Sequence, residues 1–346
     1  MTTKKDIESA LMRGADTLRD TIDAANYKDY VLPVMFVKYL SDSYTDAVEE
    51  LSKQYSGIRL ERQKKYLPFM VAEGCSFYDL YQQRFADNIG QLMNAAMRQI
   101  EADNNQQLAG VLSAVDYNSE NALGTREHKN AILRDLLEDF EPLDLRPSAI
   151  EVKEGQVPAD VIGDAYEYMI GQFASMAGKK AGSFYTPAAV SEIMARIVDV
   201  QPGERVYDPT CGSGSLLIKA AKKQNSKEVS IYGQEVNGSS VAMAKMNMYI
   251  HEIRDAKIGW GDTLANPVFL DADGNLLLFD AIVANMPFSK DKWASGFNPG
   301  GESSGKGKKE FKMEASLDKF HRFDWGVPPA SKGDWAFLLH MIASLS

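Results

Sequence analysis

With 346 residues, 45% of them hydrophobic and 25% charged, the chain is ordinary globular material, long enough for two domains with separate cores. A formal net charge of −10 excludes a chain that grips nucleic acid unaided along a broad basic face, because such affinity comes from Lys and Arg neutralising phosphates. The N-terminus has no apolar signal core and no apolar run nears the roughly 18 residues that span a bilayer, which predicts a cytoplasmic protein without membrane contact. Cys75 and Cys211 lack C-x-x-C partners, and His128, His251, His321 and His340 are scattered without ligand spacing, so neither a disulfide framework nor a metal site is expected.

Before residue 141 apolar side chains recur at helical spacing: Ile7, Leu11, Leu18 and Ile22, then Val31, Leu32, Met35, Phe36, Tyr39 and Leu40. The period continues around Ile100 and through Ala131, Ile132, Leu133, Leu136 and Leu137. Pro142, Pro147 and Pro158 punctuate a polar connection. The chain is expected to divide there into a helical domain, residues 1–150, and a second domain, residues 151–346. The helical half holds no catalytic constellation, which suits partner docking.

Beyond residue 160 the pattern changes. Gly163 to Ile170 reads as a helix, and the loop Gly182-Ser183-Phe184-Tyr185-Thr186-Pro187 leads into another, Ala188 to Val198, with Thr186 as the expected N-cap and Pro187 at the first helical position. Arg205-Val206-Tyr207 reads as a strand running into Asp208-Pro209-Thr210-Cys211-Gly212-Ser213-Gly214-Ser215, followed by a helix from Leu216. Glycines at such a turn let backbone approach a ligand, and the helix start adds free N–H donors. A second strand, Ser230 to Gln234, closes on Glu235, 21 positions after Gly214, near the spacing at which a carboxylate accepts ribose hydroxyls. A nucleotide-like cofactor is implied.

A nicotinamide dinucleotide would want a third small residue where Leu217 stands. Asp208 at the strand end suits a ligand carrying an ammonium and a sulfonium better than a pyrophosphate, and S-adenosylmethionine fits that description. A third strand-end element, Gly259-Trp260-Gly261-Asp262-Thr263-Leu264, would place Asp262 to accept from an adenine amine.

The run Phe279 to Ala284 reads as a strand, and Asn285-Met286-Pro287-Phe288 follows it where a ligand crevice opens. An Asn, a turn with Pro and an aromatic suit methylation of an exocyclic amine on a planar ring. The amine's lone pair is delocalised into the ring, so acceptors on its N–H groups, Asn285 Oδ1 and the Met286 carbonyl, help it towards a pyramidal nucleophile. Phe288 would stack on the base, which must leave the duplex to be reached. The polar stretch Ser289 to Lys332, with Gly300-Gly301, Lys306, Lys308, Lys309 and Arg322, is expected to be a mobile loop beside this site.

These motifs, in this order, closely resemble the modification (methylation) subunit of type I restriction-modification systems, the site-specific adenine-N6 DNA methyltransferases. The resemblance covers nearly the whole chain. It implies an α-helical N-terminal domain plus an α/β Rossmann-like S-adenosylmethionine-dependent methyltransferase domain. Phe184, Tyr185, Thr186, Pro187, Asp208, Thr210, Gly212, Ser213, Gly214, Ser215, Glu235, Asp262 and Thr263 would hold S-adenosylmethionine, with Asn285, Met286, Pro287 and Phe288 as the catalytic tetrapeptide. It also implies a prokaryotic cytoplasm, DNA as substrate, a separate specificity subunit that reads its sequence, and assembly with a second copy and a restriction subunit. Met286 departs from the family's proline and leaves the turn less preorganised. The helix starting at Gly333 normally leads into further strands, so with an end at Ser346 the sheet is expected to be C-terminally incomplete, through truncation or completion by another polypeptide. The alternatives are a protein glutamine or amine methyltransferase using the same chemistry, and a catalytically silent assembly module.

Overall fold

The structure, a computed structural model, describes residues 1–178, 185–222, 228–288, 290–297 and 312–346. Its contacts form two compact units, Met1–Ala181 with Lys245–Arg254, and Gly182–Ala244 with Asp255–Ser346.

The first unit is helical, as the periodicity predicts. Its longer helices are Lys4–Thr17, Tyr27–Ser52, Ile89–Asp103, Arg126–Phe140 and Pro158–Ala177. Lys4–Thr17 starts on a capping box, in which the Thr3 side chain accepts from Asp6 N while Asp6 accepts from Thr3 N. Tyr27–Ser52 is buried almost all round from Tyr27 to Ser43, which identifies it as the core helix of this unit. Gly14 lets the first helix approach closely, since a Cβ there would lie 3.1 Å from Leu136 Cδ1 and 3.3 Å from Val31 Cγ1. The buried Lys38 is neutralised one turn on by Asp42 at 2.6 Å, and Asp42 also accepts from Leu145 N at 2.7 Å. The returning segment completes this core: the Tyr249 ring packs on Phe36 at 5.6 Å and on Phe69 at 5.9 Å between centroids.

The second unit carries a four-stranded sheet in the order β3-β2-β1-β4, with β1 Arg205–Asp208, β2 Ser230–Glu235, β3 Lys257–Trp260 and β4 Ala281–Ile282. Every pairing is parallel: Asp208 sits beside Gly233, Glu235 beside Trp260, and Tyr207 beside Ile282. All strand C-termini therefore share one edge. The order reverses between β1 and β4, the switch point at which open α/β sheets bind ligands. Gly233 permits the tight approach of the loop after β1, because a Cβ there would meet Cys211 Sγ at 2.9 Å. Helices Ala188–Val198 and Ser215–Lys222 precede and follow β1.

Beside β4 the described residues add one isolated parallel bridge, in which Phe279 N donates to Ser344 O and Ser346 N to Phe279 O, each at 2.9 Å, while β4 remains the edge strand of the sheet. One expectation changes. The stretch expected to be a mobile loop contributes a core instead: Trp293, Met313 and Phe323 are buried with Leu264, Ala336 and Phe337. Apolar side chains spaced across a Gly- and Lys-rich composition hid that core. Gly300, Gly301, Lys306, Lys308 and Lys309 lie outside the described residues.

Candidate active site

At the end of β1, Asp208 is 2% exposed and accepts from Thr210 N at 2.8 Å, while the Thr210 hydroxyl lies 3.4 Å from the same oxygen. Burial pushes its carboxyl up to about 7, and the neighbouring Glu235 charge adds to the rise. The turn after it runs through Gly212 at φ 53° and Gly214 at φ 78°, where any other L-residue would be strained. The Ser213 and Ser215 hydroxyls, both buried, stand 3.0 Å apart at the start of the Ser215–Lys222 helix.

Glu235, at the end of β2, binds this turn back: Oε2 accepts from Gly212 N at 3.1 Å and Oε1 from Asn237 N at 2.8 Å. A carboxylate offers about four acceptor positions, so capacity remains for a ligand. Burial also raises the Glu235 carboxyl above its ordinary range. Two buried carboxylates that repel each other beside a Gly turn favour a cationic ligand with a sugar hydroxyl face, which fits S-adenosylmethionine.

After β3, Asp262 Oδ1 accepts from Leu264 N at 2.9 Å and Ala265 N at 3.3 Å, and Oδ2 lies 3.8 Å from Lys290 Nζ. Thr263 turns the other way, its buried hydroxyl donating to Pro209 O at 2.5 Å. Gln234, fully buried, fixes the same loop by donating to Asn266 O at 2.9 Å and accepting from Val268 N at 3.1 Å.

Following β4, Asn285 is half-buried and its Nδ2 donates to Thr186 Oγ1 at 3.2 Å. This bond uses the donor end of the amide. Thr186 does not cap the next helix: the N-cap is Pro187, whose carbonyl accepts from Val190 N at 2.9 Å and Ser191 N at 3.1 Å. A Thr-Pro pair before a helix signals a cap, but here the hydroxyl is needed by Asn285. Met286 packs on the Trp293 core, Pro287 is exposed and Phe288 is 79% exposed. Tyr185 is half-buried, and Phe184 lies outside the described residues.

Sequence patterns missed the roles of Lys290, Gln234 and Arg322. Arg322, expected in a mobile loop near substrate, is 4% exposed and donates to Leu264 O at 2.6 Å. Single charged or amide residues carry no periodicity, so nothing in the sequence marks them.

The model of the N-6 DNA Methylase family matches residues 157–346, the whole of this sheet and its loops. The chain belongs to that family. The HsdM N-terminal domain model matches residues 7–140 of the helical unit. This N-6 DNA methylase is 30% identical to the type I restriction-modification system methyltransferase subunit from Streptococcus thermophilus, with a TM-score of 0.76 over 99% of this chain and 72% of that one. It is 29% identical to the MjaVIII methylase subunit of Methanocaldococcus jannaschii, covering 95% of this chain and 53% of the relative. Against the MpnII methylase subunit of Mycoplasma pneumoniae the identity is 29%, covering 97% and 65%. The chain thus spans between about half and two thirds of these two relatives' length, and it belongs with the methylation subunits of type I systems.

Proposed function

We propose that this chain transfers a methyl group from S-adenosylmethionine to N6 of a flipped-out adenine in DNA, as the modification subunit of a type I restriction-modification system in a prokaryotic cytoplasm. What supports the reading is the placement of Asp208 and Asn285 on either side of the β1/β4 switch point, with Glu235 and Asp262 on the same sheet edge. Asp208 and the Gly212–Ser215 turn would hold the methionine portion, Glu235 the ribose hydroxyls, Asp262 Oδ2 the adenine amine, and Tyr185 to Pro187 the neighbouring wall. When bound, S-adenosylmethionine supplies an electrophilic methyl on its sulfonium.

Asn285 Oδ1 and the Met286 carbonyl accept the two N–H bonds of the target amine and draw it towards a pyramidal geometry, freeing its lone pair. Thr186 orients the Asn285 amide by accepting from Nδ2, so that Oδ1 is the atom left for substrate. Exposed Phe288 supplies a stacking face for the extruded base, worth about 1–3 kcal/mol. Residues 1–150 dock partners, and an acidic chain leaves sequence reading and most of the grip on DNA to a specificity subunit. A second copy and a restriction subunit complete the assembly.

Calorimetric titration with S-adenosylmethionine, with NAD as control, tests the cofactor; labelled methyl transfer with a specificity subunit, offered DNA or protein, tests the substrate. Saturable one-site binding and label on adenine N6 are expected. No binding, or label in protein alone, overturns the reading.

A further inference from the structure

Arg322 is a buried cation, its side chain 1% exposed, in a methyltransferase unit whose proposed ligand is itself cationic. Its guanidinium makes a paired contact with Asp318, Nη2 to Oδ1 at 2.8 Å and Nε to Oδ2 at 3.0 Å, which neutralises it. The remaining donors reach Thr263 O at 3.3 Å, Leu264 O at 2.6 Å and His340 Nδ1 at 3.2 Å. Asp318 and Arg322 thus brace the turn whose backbone N–H groups hold Asp262.

The contact to His340 sets a direction. Guanidinium has donors only, so Nδ1 of His340 accepts and the ring proton of the neutral imidazole sits on Nε2. Burial and the Arg322 charge lower the His340 pKa to about 3, which keeps the ring neutral. Nε2–H then donates to the Tyr207 hydroxyl at 3.3 Å, which ties Arg322 to the β1 residue just before Asp208, and separately Thr263 donates directly to Pro209 O at 2.5 Å. The chain thus runs from the Thr263 and Leu264 carbonyls through Arg322 and His340 to Tyr207, the residue before Asp208, and the Thr263 hydroxyl makes a second, direct bond to the carbonyl after it.

The two turns joined in this way follow β1 and β3, which β2 separates. Two strand spacings put them roughly 10 Å apart, a gap that pairing within the sheet fixes only at the strands and not at the loops beyond them. We propose that Arg322, His340 and Tyr207 are positioning residues: their one-way hydrogen-bond chain, anchored on Asp318, sets the distance between the Asp208–Thr210 turn and the Asp262–Leu264 turn. This rests on the reading of both turns as the cofactor site. None of the three positioning residues needs to touch the cofactor.

The test is a double-mutant cycle on S-adenosylmethionine affinity by calorimetry, using Tyr207→Phe, His340→Phe and the pair. Each single change is expected to weaken binding roughly tenfold, and the pair no more than the worse single, since either cut opens the same chain. Affinity unchanged in both singles, or effects that multiply, would overturn the proposal. Nitrogen NMR of the His340 ring in the unmutated protein gives a readout independent of any variant's folding: a neutral ring protonated on Nε2 from pH 6 to 8 is expected, and an Nδ1–H tautomer or a titration near pH 6.5 would sink it. Wild-type protein that binds no S-adenosylmethionine instead removes the cofactor reading and this inference with it, whereas normal wild-type binding with silent variants removes this inference alone.

Discussion

The three carboxylates at the ends of β1, β2 and β3 are each held by backbone N–H groups, Asp208 by Thr210, Glu235 by Gly212 and Asn237, and Asp262 by Leu264 and Ala265. Past β4, by contrast, Asn285 is tied to a side chain, Thr186, from a loop 99 residues away, and Phe288 stands out in solvent. The first group has its geometry before any ligand arrives. The second is held by one side-chain bond and by Met286 packing on the Trp293 core, which leaves Phe288 free to meet a substrate. Cofactor binding should therefore be insensitive to changes in the Asn285–Phe288 tetrapeptide, and catalysis should be most sensitive to them.

The largest expected effect breaks the comparison if it fails. Asn285→Ala should lower methyl transfer by at least about 10²-fold while S-adenosylmethionine affinity stays within a few-fold, because a preorganised acceptor is lost and no cofactor contact is. Single-turnover rates beside calorimetry decide this, and near wild-type turnover would remove Asn285 from the chemistry.

Asp208→Asn probes the other side. Burial raises the folded-state pKa of Asp208 to about 7, above the ordinary 3.8, so the folded protein holds this proton more tightly than the unfolded chain does. The contribution of Asp208 to stability is therefore most favourable at low pH and is lost as pH rises towards and through about 7. The neutral Asn should raise the melting temperature at pH 8, the gain shrinking as pH falls to about 4, and should weaken S-adenosylmethionine binding roughly tenfold. A variant that gains no stability at pH 8 would mean that the carboxylate is not buried without compensation.

Smaller effects sharpen the boundary between the two sides. Lys290 follows the tetrapeptide yet places its ammonium 3.8 Å from Asp262 Oδ2, the oxygen proposed to receive an adenine amine. Lys290→Met should tighten S-adenosylmethionine binding by about two- to fivefold at low salt, as expected for a partly exposed ion pair, and the difference should vanish at high salt. Met286→Pro restores a fixed φ and should raise turnover by no more than about twofold, with cofactor affinity unchanged.

Much of this was legible in the sequence. Glycines between a strand and a helix announce the turn after β1, and a carboxylate closing the next strand announces Glu235, because both demands are local. Helical periodicity likewise marks Tyr27–Ser52. Arg322 was not legible: its partners Thr263 and Leu264 lie 59 and 58 residues earlier, and its burial follows from a core that Trp293, Met313 and Phe323 build across a polar composition. The role of Thr186 was masked by a stronger local signal, since Thr-Pro predicts a cap whether or not a distant Asn needs the hydroxyl.

The return of Lys245–Arg254 to the helical unit has a consequence for biosynthesis. A ribosome delivers every N-terminal helix, then β1 and β2, before it delivers Tyr249, whose ring covers Phe36 and Phe69, and His251, whose imidazole fills the space over Gly163. Until that decapeptide emerges, the nascent helical half carries an open apolar notch, and a fragment ending at Ala181 would keep it permanently. Supplying residues 245–254 in trans, or splicing them behind residue 181, would close that notch.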